Sequence, residues 1–146
     1  MLTQETTAPS FTSKDARIAG LLDYVHEIQD LKALYDLAEW DQNTAMPEGA
    51  AEVRGYHMAT IQGIMHERWT DPRLLSLLGE LDAVIERSDY TDADRGLVRA
   101  ARRDYDRATK LPRELVEEMA RVQAGSFDAW RRARENNDFA SFAPWL

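Results

Sequence analysis

The chain has 146 residues, of which 44% are hydrophobic and 30% charged, with no cysteine and a formal net charge of -8. That balance fits one globular domain or a piece of a larger one, and it excludes disulfides, thiol catalysis and cysteine-ligated zinc. The acidity argues against a general nucleic-acid or anionic-membrane binder, and no apolar run approaches the ~20 residues of a membrane span.

Residues 1–12 are polar, rich in Thr and without a period, and read as a flexible tail with no secretion-signal pattern. The remainder, 13–146, reads as helical. Ser13 is a candidate cap for a helix beginning near Lys14. Ile18, Leu21, Val25, Ile28, Leu31, Tyr35 and Ala38 then recur every three or four residues, the buried stripe of a long amphipathic helix. Leu22, Leu34 and Leu37 widen that stripe, so the helix is expected to touch more than one neighbour.

Glu39 to Pro47 reads as a packed connection. Trp40 is expected to be buried, at a cost of about 3–5 kcal/mol if truncated to Ala. Asp41, Gln42, Asn43 and Thr44 would bond the loop backbone. Met46 would pack under the next helix, and Pro47 would occupy its first turn. That second helix is predicted from about Glu48 to Trp69, with Val53, His57, Ile61, Ile64 and Met65 facing inward.

Thr70-Asp71-Pro72 is a break, with Asp71 as N-cap and Pro72 opening a third helix. Leu74, Leu77, Leu78, Leu81, Val84 and Ile85 form its inner stripe. After the polar turn Arg87–Tyr90, Thr91 caps a fourth helix with Asp92 and Asp94 in its first turn. Leu97, Val98, Ala101, Tyr105 and Ala108 point inward. Arg99, Arg102, Arg103, Asp106 and Arg107 form the other face. Lys110-Leu111-Pro112 leads to a fifth helix with a near-heptad of Leu115, Met119, Val122, Ser126, Ala129 and Ala133, flanked by Val116 and Trp130. Asn136-Asn137 ends it, and Asp138 caps a last turn from Phe139. No strand pattern is present, so the fold class is all-α, with about five antiparallel helices and short connections.

Three candidate chemistries stand against simpler readings. His26-Glu27-Ile28-Gln29-Asp30 puts a histidine and a carboxylate four residues apart on one helix face, but a catalytic zinc needs three protein ligands. His66-Glu67-Arg68-Trp69-Thr70 places Thr where a second histidine would be needed. His57 reads as a hydrogen-bonded, partly buried histidine. Glu117-Glu118 and Asp92/Asp94 are accounted for by solvation and the helix dipole. The Arg/Asp face of the fourth helix could hold a carboxylate or phosphate, or be an ion-paired surface. No P-loop, dinucleotide fingerprint or catalytic triad is present. The residues alone assign no catalytic, cofactor-binding or metal-binding position.

Several passages in order carry a resemblance: Ile28-Gln29-Asp30-Leu31, Trp40-Asp41-Gln42-Asn43-Thr44-Ala45-Met46-Pro47, Gly49 to Arg54, Leu97-Val98-Arg99, Asp104 to Pro112, Ala129-Trp130, Ala133-Arg134, Asn137-Asp138-Phe139 and Phe142-Ala143-Pro144. Together they resemble the N-terminal part of the carboxypeptidase Taq family of zinc metallocarboxypeptidases. The resemblance covers nearly everything after the tail.

It implies a mostly helical enzyme with a deep groove, which trims C-terminal residues from peptides with broad preference, usually not after proline. It also implies a homodimer, a cytoplasmic location, and a zinc ion replaceable by cobalt. That zinc would sit on an HExxH helix and a downstream Glu, the first Glu acting as general base. No position in this chain matches those motifs, so the chain alone is expected to be inactive and metal-free, its ending at Leu146 expected to cut the fold. The region would be a wall and lid beside the groove. Trp40, Asp41, Arg54, Tyr105, Asp106, Lys110 and Pro112 would have structural roles. Glu48 stands where the family often has Pro. The alternative is a stand-alone helical interaction module that docks on itself or on a full-length enzyme.

Overall fold

The computed structural model describes residues 15–146 other than Glu48 and Ser88. The expected tail, the Ser13 cap and the predicted start at Glu48 lie outside the described residues. The described residues form six α-helices: α1 (Ala16–Thr44), α2 (Ala51–Trp69), α3 (Pro72–Asp82), α4 (Asp92–Ala108), α5 (Arg113–Asn136) and α6 (Phe139–Phe142), followed by a 3-10 turn, Ala143–Trp145. No strand occurs among the described residues. The all-α expectation holds.

Helix α1 is the spine. Its 29 residues span about 43 Å at 1.5 Å per residue. The first half packs Ile18 and Leu21 against Leu74, Leu78, Leu81 and Ile85, and against Tyr90, Val98 and Ala101. The second half packs Ile28 and Tyr35 against Met58, Met65 and Ala124. Tyr24 and Trp69 border both groups, so one helix serves two adjoining cores.

Local chemistry explains the helix ends. Asp15 caps α1, accepting from the Arg17 backbone N–H at 2.8 Å, and its carboxylate also takes the Tyr90 hydroxyl. That contact ties the start of the spine to the turn before α4. Asp71 caps α3 with Pro72 in the first turn. Thr91 and Asp94 form a reciprocal capping box at α4, in which Asp94 is fully buried. Asn137 ends α5 in the left-handed region at φ 53°, a conformation Asn tolerates better than most residues.

Three expectations need correction. First, α1 does not end before Trp40. It runs on to Thr44, with the Thr44 hydroxyl donating to the Trp40 carbonyl at 2.8 Å. Continuing the helix places Trp40 about 140° around the axis from buried Tyr35, and Trp40 is 62% exposed.

Second, α2 begins at Ala51, so Pro47 lies in the loop and not in the first turn. Val53 and His57 face solvent. The buried positions are Gly55, Met58, Gly63 and Met65. α5 packs directly on this face: a β-carbon at Gly55 would lie in ordinary van der Waals contact, 3.5 Å from the Arg121 carbonyl and 3.6 Å from the Ala124 β-carbon.

Third, α5 buries alanines rather than its large apolar residues. Ala120, Ala124, Ala129 and Ala133 face inward, while Leu115, Met119, Val122 and Trp130 are exposed. Leu115, Met119 and Val122 of the near-heptad therefore lie on the outer side of α5, while its Ala129 and Ala133 are buried as expected. Small residues on both α2 and α5 let the two backbones pack closely, which the pattern of large residues does not reveal.

Candidate functional site

The three histidines provide the first test for a site. His26 and Asp30 are exposed on α1, and Glu27 is held by Arg68 at 2.7 Å. His66 points its Nε2 at two carbonyls around the C-terminal end of α4, Ala108 at 3.2 Å and Leu111 at 2.8 Å. Thr70 folds back onto the His66 carbonyl at 2.8 Å. His57 is exposed, contrary to the partly buried position expected for it. No group of three or more His, Cys, Asp or Glu among the described residues is arranged to hold a metal ion. Glu27 is committed to a guanidinium and His66 to backbone carbonyls, so the described residues do not fit the zinc site that the resemblance implies.

The acid pairs are structural as well. Glu117 accepts from Arg113 at 2.5 Å, Glu118 pairs with Arg121, and Asp92 pairs with Arg95 at 3.1 Å. The displaced titrations belong to the same class of group. Hydrogen bonds from the Arg17 side chain hold Asp15 below the ordinary carboxylate range. Those from Arg73 lower Asp71 to about 2. Burial raises Tyr24 and Tyr35.

The best-organised polar feature is the junction of α1 and α2. Arg54 donates to the Ala38 carbonyl at 2.7 Å and also binds the Asp41 carboxylate. One residue on, Gln42 donates to the Ala124 carbonyl of α5 at 3.0 Å, and its own buried side-chain oxygen has no hydrogen-bond partner among the described residues. The junction thus locks three helices together. Of the other positions assigned structural roles, Tyr105 packs against the first core and Pro112 caps α5, whereas Trp40, Asp106 and Lys110 are exposed.

Beside this junction, α2 and α5 enclose a cleft of about 460 Å³ lined by Gly55, Tyr56, Val122, Gly125 and Trp145. Gly125 leaves room for the Trp145 ring, which lies 2.7 Å from where a β-carbon would be. The small residues at 55 and 125 signal this cleft in the sequence. Chemically, it offers apolar contact and a charged rim of Glu52, Arg121, Asp128 and Arg132. No helix among the described residues is long and apolar enough to cross a membrane.

Comparison with known proteins supplies the family. The family described as "Carboxypeptidase Taq (M32) metallopeptidase" matches residues 20–146. Thermostable carboxypeptidase 1 of Thermus thermophilus is 32% identical over 133 residues, which cover 90% of this chain and 26% of that protein. Among solved structures, BsuCP shares the fold with a TM-score of 0.84 at 21% identity, over 90% of this chain and 26% of that one. The M32 carboxypeptidase from Deinococcus radiodurans R1 is 34% identical with a TM-score of 0.63, over the same shares of the two chains. The chain spans about a quarter of the length of these relatives. With nearly all of its residues matched, the chain belongs to the carboxypeptidase Taq (M32) metallopeptidase family.

Proposed function

We propose that this chain forms the N-terminal helical wall of a metal-dependent carboxypeptidase that removes C-terminal residues from peptides. The observation that carries the reading is a family match across residues 20–146 that nonetheless spans about a quarter of the relatives' length. In this reading the helices shape and stiffen one side of the substrate groove, and the hydrolytic metal is held by residues outside this chain. We take the metal to be zinc, the complete enzyme to be a homodimer and its location to be the cytoplasm, on the strength of the family resemblance. The rival reading, a stand-alone docking module, draws no support from the matches.

The test begins with the coding DNA beyond the Leu146 codon. An open frame that reaches an HExxH helix is expected. Its product should release C-terminal amino acids from peptides, lose that activity to a chelator and regain it with zinc. The 146-residue chain assayed alone should release none. Zinc-dependent trimming by the short chain would overturn its inactivity, and a stop codon directly after Leu146 would overturn the larger-enzyme reading.

A further inference from the structure

A second cleft, of about 620 Å³, runs along the outer side of α4 beside the end of α3. Six cations line it: Arg95, Arg99, Arg102, Arg103, Arg107 and Lys110. The carboxylates that line it are Asp82, Glu86 and Asp106. Six positive side chains are thus gathered on α4 and just after it, in a chain whose net charge is -8.

Three of these cations are engaged, Arg95 with Asp92, Arg102 with Asp82 and Arg103 with Asp104. Arg99, Arg107 and Lys110 are exposed and have no ion-pair partner among the described residues. Concentrating like charges along a groove raises the local potential and draws in a ligand of opposite sign.

The spacing narrows the ligand. Arg99, Arg103 and Arg107 recur every four residues, a rise of about 6 Å per step on a helix. Side chains on one face of an extended peptide repeat at about 6.6–6.8 Å. The two periods nearly coincide over the two steps from Arg99 to Arg107. Each guanidinium offers a planar fork of donors suited to a carboxylate. The apolar floor of the cleft is Val98 and Ile85, both buried. Glu86 and Asp106, on the same walls, can accept the N–H groups of a peptide backbone, donors that a phosphate chain lacks.

We propose that the α4 cleft binds an extended acidic peptide, with Asp or Glu at alternate positions seated on Arg99, Arg103, Arg107 and Lys110. Binding here requires neither metal nor cleavage. It can therefore fail while the carboxypeptidase reading stands, and the reverse also holds.

The test is fluorescence anisotropy with the 146-residue chain and a labelled peptide of alternating Glu and Ser, set against an all-Ser peptide of the same length. The Glu peptide should bind, and binding should weaken as salt is raised. The triple variant Arg99→Gln, Arg107→Gln, Lys110→Gln removes only exposed, unpaired cations. It should keep the parent helical circular dichroism and lose affinity about tenfold or more. A control variant on α5, Arg131→Gln with Arg132→Gln, should bind as the parent does. The proposal is overturned if the Glu peptide binds no better than the Ser peptide, or if the triple variant binds as the parent does. Displacement of the peptide by single-stranded DNA at equal charge would overturn it too.

Discussion

Arg54 on α2 reaches back to grip α1 at two points one turn apart, the Ala38 carbonyl and the Asp41 carboxylate. The contact spans the loop between the helices and fixes how α2 leaves α1. Arg54→Ala should destabilise the chain by about 1–2 kcal/mol, a charge-assisted pair discounted for its partial exposure. Arg54→Lys should recover less than half of that loss, because an ammonium on a flexible stem lacks the planar fork. Urea denaturation of the three proteins measures both effects.

The seam between α2 and α5 is built of small residues. Ala124 is 1% exposed and lies against Gly55. Ala124→Leu should force the helices apart and cost about 1–3 kcal/mol by overpacking. Met119 is 58% exposed on the same helix, and Met119→Ala should change stability by less than about 0.5 kcal/mol. Thermal melts of the pair test which face of α5 is inside.

Much of the fold was legible because its signals are local. Asp71 with Pro72, the Thr91 capping box and the Asn137 stop each depend on a few adjacent residues. The leucine stripe of α3 was equally clear. The inner face of the first halves of α2 and α5 was not, because periodicity detects large apolar side chains such as Val53 and Met119, and here the buried seam uses Gly and Ala. What the residues alone did not give is that Glu27 and His66 are committed to distant partners, Arg68 on α2 and the carbonyls of Ala108 and Leu111 around the end of α4.

Acid should loosen the cap of α3. Asp71 titrates at about 2 when folded, below its ordinary 3.8, chiefly through hydrogen bonds from Arg73. A lowered folded value means that its contribution is complete above 3.8 and is lost as the pH falls through about 2. Asp71→Asn keeps an effective N-cap but removes the titration. The variant should therefore show a shallower fall in denaturation midpoint across that window. An unchanged slope would show that Asp71 does not contribute to the acid response.

Trp40 now carries the opposite expectation from the one its sequence suggested. At 62% exposure, Trp40→Ala should alter the stability of this chain by no more than about 0.5 kcal/mol. Trp40→Phe should also lower the fraction of tryptophan emission quenched by iodide. Unchanged quenching would place the indole inside.

One helix running through two cores has a cooperative consequence. Fraying α1 at either end removes a wall from the core at that end, while Tyr24 and Trp69 carry the disturbance across the boundary to the other. Neither half owns a complete set of walls without the same 29 residues. The two cores therefore melt as a single unit, and the rigidity of the spine transmits a push on one end of the wall to the other.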